Sequence, residues 1–248
     1  MSNRFAAKLL AEFVGTFALI FIGAGAAAVV GSGGGLPAVA AVAFAHGLTV
    51  MAFAFAYGTV SGGHFNPSVT VAVLAAGAMR VGEAAGYVVS QLAGGILGAL
   101  LLRAVLGGTG TSLGTPDLAH NLGLGATTLS VTAWAGYAIE AVLGFFLSTV
   151  VLSTAIAGRA GNLAPLAIGV TLILNIIMGG PLTGAAFNPA RALGPMIATG
   201  NFNDAWLYLT APIVGAVVAA VLHTVLARLA QERTATSDHP AAAGTPAE

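Results

Sequence analysis

The chain has 248 residues, 57% of them hydrophobic and only 6% charged, and its basic and acidic residues cancel to a net charge of zero. A soluble domain carries about a quarter of its residues as Asp, Glu, Lys and Arg, so this composition excludes one and indicates an integral membrane protein. The absence of cysteine excludes disulfides, thiolate metal sites and cysteine nucleophiles, and the neutral balance implies no nucleic-acid partner.

In chain order, the first apolar run covers about residues 9 to 30 and holds a carboxylate, Glu12, in Ala11-Glu12-Phe13-Val14-Gly15-Thr16-Phe17. It is long enough to span a bilayer and lacks a small-residue cleavage site, so it is expected to be a retained span rather than a signal peptide. A second run, about residues 38 to 59, places His46 at mid-membrane with no charged partner nearby in sequence. An ionisable residue at that depth marks a functional polar site by default.

The stretch Ser61-Gly62-Gly63-His64-Phe65-Asn66-Pro67-Ser68-Val69 follows. Asn is a good helix N-cap, Pro is pre-set for the first helical position, and the preceding glycines can hold an extended backbone with exposed carbonyls. A short helix is expected over about residues 66 to 77. At ~1.5 Å per residue it rises only ~18 Å, too little to cross a ~30 Å core.

The third run, about residues 83 to 106, carries Gln91 and the small-residue pairs Gly82/Gly86 and Gly94/Gly98, which permit close helix approach. The fourth run, about residues 131 to 157, carries Glu140 in Ile139-Glu140-Ala141-Val142-Leu143-Gly144-Phe145, and the fifth covers about residues 164 to 180. Then the earlier stretch returns as Thr183-Gly184-Ala185-Ala186-Phe187-Asn188-Pro189-Ala190-Arg191, predicting a second short helix over about residues 188 to 199. A sixth run, about residues 205 to 229, precedes a polar tail from Ala230 that reads as disordered.

The expected fold class is therefore all-α: six transmembrane helices plus two re-entrant half-helices in one domain, residues 1–229, with a disordered cytoplasmic tail, residues 230–248. The order of elements repeats, about residues 5–106 and 131–229. Three crossings per half is an odd number, so the second half enters from the opposite face and the repeat is inverted. Arg4, Lys8, Arg80, Arg159, Arg228 and Arg233 fall on one side, which puts both termini in the cytoplasm of a cell membrane. Arg103 and Arg191 fall toward the other side. Irregular backbone at mid-membrane is tolerated only where it is buried in protein or faces water, so two opposed loops imply an aqueous path.

Two Asn-Pro boxes in register, Gly-Gly-His before the first and Asn-Pro-Ala-Arg in the second resemble the aquaporins over residues 5 to 229. One letter departs from the usual pattern: Ser68 stands where Ala is common. Its hydroxyl is expected to bond back to backbone near the helix start.

The boxes Asn66, Pro67, Ser68 and Asn188, Pro189, Ala190 would face a passing water with amide donors and two half-helix N-termini of about +0.5 charge each, repelling cations and hydronium. Carbonyls of Gly62, Gly63, His64, Gly184, Ala185 and Ala186 would form an acceptor ladder. Glu12, Glu140 and Gln91 read as structural braces for the loops.

The resemblance also places an outer constriction at His46, Ile176, Ala185 and Arg191, a set similar to plant tonoplast intrinsic proteins and ammonia-permeable animal relatives. It implies a passive water channel, with ammonia or hydrogen peroxide as further neutral solutes, and a homotetramer. A glycerol channel is the nearest alternative; Ala192 after Arg191 and the lack of an aromatic at His46 or Ala185 count against it. An ion-coupled transporter would need a coupling site, for which only Glu12 and Glu140 offer themselves. A formate-type channel would lack the doubled box. No enzyme cluster, metal-ligand spacing or cofactor signature appears.

Overall fold

The computed structural model describes residues 2–31, 35–108 and 110–237. Among the described residues, six helices are long and apolar enough to cross a membrane: Asn3–Val30, Gly35–Ser61, Val81–Val105, Ala133–Ile156, Gly161–Thr183 and Ala205–Gln231. Two short helices, Pro67–Ala75 and Pro189–Thr199, lie between the second and third and between the fifth and sixth. The chain is an integral, multi-pass membrane protein.

Each half-helix starts as its sequence dictates. Asn66 and Asn188 adopt extended backbone, Pro follows at the first helical turn, and the asparagine Oδ1 accepts from Ser68 N in the first box and from Ala190 N and Arg191 N in the second. At 9 and 11 residues they rise ~14 and ~17 Å, too little for either to cross a ~30 Å hydrocarbon core.

Packing follows the repeat. The first span lies along the third, the fourth along the sixth, and the second along the fifth. Each half-helix touches the third and sixth spans, the first favouring the sixth and the second the third, so the halves are interlocked. Glycine makes these approaches possible where a Cβ would collide with backbone. One on Gly94 would stand 2.3 Å from Phe13 O, one on Gly98 2.8 Å from Phe17 O, and one on Gly194 2.4 Å from Gly95 O. Gly86 seats Phe5 and Leu9, whereas a Cβ on Gly82 would meet nothing within 4 Å among the described residues.

Three features differ from the sequence reading. The last helix runs through Ser237, past Ala230 where the tail was expected, because Ala230, Gln231, Glu232 and Arg233 are strong helix formers; the rest of that tail lies outside the described residues. The fifth span continues through Pro181 to Thr183. The loop after the third span folds inward and carries a small hairpin, Leu122–Leu124 paired with Thr127–Leu129. Ala119 N donates to Leu182 O at 2.9 Å, which ties this loop to the end of the fifth span.

Candidate functional site: a narrow cavity between two half-helices

The two boxes meet. Asn66 Nδ2 donates to Phe187 O at 3.0 Å, and Asn188 Nδ2 donates to Phe65 O at 2.9 Å. An amide NH2 carries two hydrogens, so each asparagine keeps one donor beyond this cross-link. Asn66 and Asn188 both line a cavity of about 20 Å³, room for a water or two where one needs about 10–15 Å³.

Beneath each box lies a buried carboxylate. Glu12 Oε1 accepts from Ser61 Oγ at 2.6 Å and His64 N at 3.0 Å, and its Oε2 accepts from Phe65 N and Gln91 Nε2, both at 2.7 Å. Glu140 repeats the arrangement: Oε1 accepts from Thr183 Oγ1 at 2.6 Å and Ala186 N at 3.0 Å, and Oε2 from Phe187 N at 2.5 Å. Tyr87 and Tyr208 add matching bonds to the carbonyls of Ser61 and Thr183.

These bonds hold backbone that would otherwise relax. Phe65, Ala185 and Phe187 have φ of 48°, 42° and 30°, a region costing non-glycine residues about 1–3 kcal/mol each. Successive N–H groups in such a turn converge on one acceptor group, and each glutamate side chain supplies it. Both carboxylates are fully buried with every oxygen bonded, and neither lines the cavity.

Ser68 departs from expectation. Its hydroxyl lies 2.8 Å from Asn66 Oδ1 and 3.2 Å from Phe187 O, so it bridges the two boxes rather than bonding its own helix backbone. The residue sits where the half-helices abut, so its hydroxyl shares the Phe187 carbonyl with Asn66 Nδ2. Thr70, not singled out by sequence, is the hub of the first loop: it donates to Asn66 O and accepts from Gln91 Nε2 at 2.9 Å, with His64 Nδ1 at 3.1 Å.

Of the proposed carbonyl ladder, Gly63, His64, Ala185 and Ala186 line the cavity, whereas Gly62 and Gly184 do not; Phe65 and Phe187 join the lining instead. Among the four constriction positions, His46, Ala185 and Arg191 line it. Ile176 is buried two turns beyond Ile168 and one beyond Leu172, its neighbours on the same helix face, and is outside the lining. The rest of the lining is apolar: Leu19, Val50, Val69, Leu147, Val151, Ile168 and Leu172, side chains that offer water no hydrogen bond.

Arg191 Nη1 donates to Gly114 O at 2.7 Å, and its buried Nε has no partner among the described residues. His46 Nδ1 bonds Val42 O at 2.9 Å, and its buried Nε2 is likewise unpartnered. The Gly114 contact comes from the folded loop and carries no local sequence signal. Arg103, on the third span, donates through Nη1 to Ala198 O near the end of the second half-helix.

Residues 1–223 match the family described as major intrinsic protein. The chain belongs to that family. Major intrinsic proteins are channels, so this chain is a passive membrane channel and not an enzyme. It is 40% identical over 219 residues to Aquaporin NIP1-2 of Oryza sativa subsp. japonica, covering 88% of this chain and 71% of that protein. It is 37% identical over 227 residues to Nodulin-26 of Glycine max, covering 91% and 80%. These relatives carry NIP and nodulin-26 names, not those of the tonoplast group to which the four constriction positions are similar.

The X-ray structure of the aquaglyceroporin from Plasmodium falciparum superposes with a TM-score of 0.77 at 24% identity, covering 91% of this chain and 98% of that one. At that identity it establishes the shared fold alone.

Proposed function

We propose that this major intrinsic protein conducts water down its osmotic gradient, passes small neutral solutes such as ammonia or hydrogen peroxide, and excludes protons and ions. The observation that carries this reading is the pair of cross-bonded asparagines bordering a cavity of about 20 Å³. A water accepting from the spare hydrogen of each amide turns both of its own hydrogens outward, which breaks the one-directional chain proton hopping needs. The half-helix N-termini add positive potential there.

His46, Ala185 and Arg191, which border the cavity, select the solute at the outer end, with Ile176 one turn past Leu172 beyond the lining. The guanidinium is permanently charged and repels cations, while Ile and Ala leave room for small uncharged molecules. The carbonyls of Gly63, His64, Phe65, Ala185, Ala186 and Phe187, all of which border the cavity, replace lost hydration along the path. The channel works as a homotetramer in the cell membrane with both termini cytoplasmic.

Stopped-flow light scattering on liposomes, comparing water, glycerol and ammonia for wild type and His46→Phe, tests this. Fast water flux with low activation energy, and an ammonia component that the bulkier ring abolishes, are expected. Glycerol flux matching water, or saturable ion-driven uptake, would overturn it.

A further inference from the structure

We propose that Gly23 is a positioning residue that sets how far the His46 ring stands into the conduit, and so helps decide which solutes pass. The inference deepens the reading of His46 as a constriction residue and rests on it.

The first span is α-helical to Ala18, widens into a π-helical turn over Leu19–Ala24, and then resumes. Gly25 N accordingly donates to Ile20 O, five residues back. Such turns reposition the residues they contain and recur at functional sites. This one puts Leu19 in the cavity wall and Gly23 behind the imidazole. A Cβ on Gly23 would stand 2.6 Å from His46 Cδ2, 2.7 Å from Cγ and 2.8 Å from Nε2. The ring is therefore seated directly on the glycine backbone, held there by Nδ1 on Val42 O at 2.9 Å. The cavity is the open space it borders.

The inverted repeat supplies an internal comparison. The spacing between Glu12 and Glu140 carries Leu19 to Leu147 and Gly23 to Val151, and the spacing between Asn66 and Asn188 carries His46 to Ile168. Leu147, Val151 and Ile168 all line the cavity in the other half, beside a second π-helical turn at Leu152–Ile156. Where one half presents valine with isoleucine, the other presents glycine with histidine. The missing side chain at residue 23 offsets the larger, polar ring at residue 46.

Any side chain at residue 23 must displace the ring from Val42 O toward the cavity. Gly23→Ala, His46→Ala and the double variant are compared in liposomes for water and ammonia, using the ratio of the two permeabilities because it does not depend on how much protein is incorporated. Gly23→Ala is expected to lower both fluxes severalfold and to shift the ratio; in the double variant both return to the His46→Ala values. If Gly23→Ala does not fold, recovery of folded channel in the double variant supports the same steric coupling, and failure of both overturns it. An equal effect of Gly23→Ala with and without His46 also overturns the proposal. A His46→Ala variant with wild-type permeabilities would instead remove the constriction reading on which it rests.

Discussion

Asn66 Nδ2 and Phe187 O, 121 residues apart in the chain, form a 3.0 Å hydrogen bond at the point where the two halves of the channel meet. Its mirror image joins Asn188 to Phe65 O. Each asparagine thus does three jobs with one amide: Oδ1 caps its own helix, one Nδ2 hydrogen fastens the opposite loop, and the other is left for the conduit.

Asn188→Asp separates these jobs. Aspartate caps a helix as well as asparagine does, but it donates nothing to Phe65 O and sets a negative charge between the half-helix N-termini. Folded protein with reduced water flux and measurable proton leak is expected, read with a pH-sensitive dye inside liposomes. Wild-type proton exclusion would contradict the role given to the amide.

Glu140→Gln keeps the volume and removes one acceptor. The side chain then turns an NH2 toward either Phe187 N or the pair Thr183 Oγ1 and Ala186 N, and at least one buried donor loses its partner. A loss of about 2–3 kcal/mol follows from such a group, seen as a lower melting temperature in detergent. An unchanged melting temperature with altered ion coupling would favour a transporter role instead.

Arg191→Val deletes both the fixed charge and the bond to Gly114 O. Water flux should persist while glycerol and cation permeation rise severalfold, since the barrier and the bulk vanish together. Unaltered solute selectivity in the same liposome assay would place the filter elsewhere.

Ser68→Ala removes one of two donors to Asn66 Oδ1 and the bridge to Phe187 O. The expected cost is about 1 kcal/mol, measured as a small fall in melting temperature. Ser68 is outside the cavity lining, so water permeability should change little.

Mercurial reagents should leave flux untouched, because the chain has no cysteine. Rapid, thiol-reversible inhibition in stopped-flow experiments would contradict this.

Much of this architecture is legible without coordinates because it rests on local physics. Six apolar runs of bilayer length, two Asn-Pro caps, an odd number of crossings per half and a carboxylate at matching places in each half are all properties of short windows. The matching places of Glu12 and Glu140 are visible there, whereas the distant donors each one meets are not.

What the windows could not hold is everything made by contact between distant segments. Gly82 and Gly86 share a pattern, yet of the two only Gly86 is a place where a Cβ would meet a neighbour among the described residues. The Ser68 hydroxyl reaches Phe187, and Arg191 reaches a carbonyl of a loop with no motif. Helix starts, spans and their handed repetition follow from propensity and hydropathy, which act over a few residues. The cross-bonded asparagines, the folded outer loop and the glycine behind His46 come from how the inverted halves interlock. That depends on side-chain volume across interfaces and leaves no trace in any single stretch of chain.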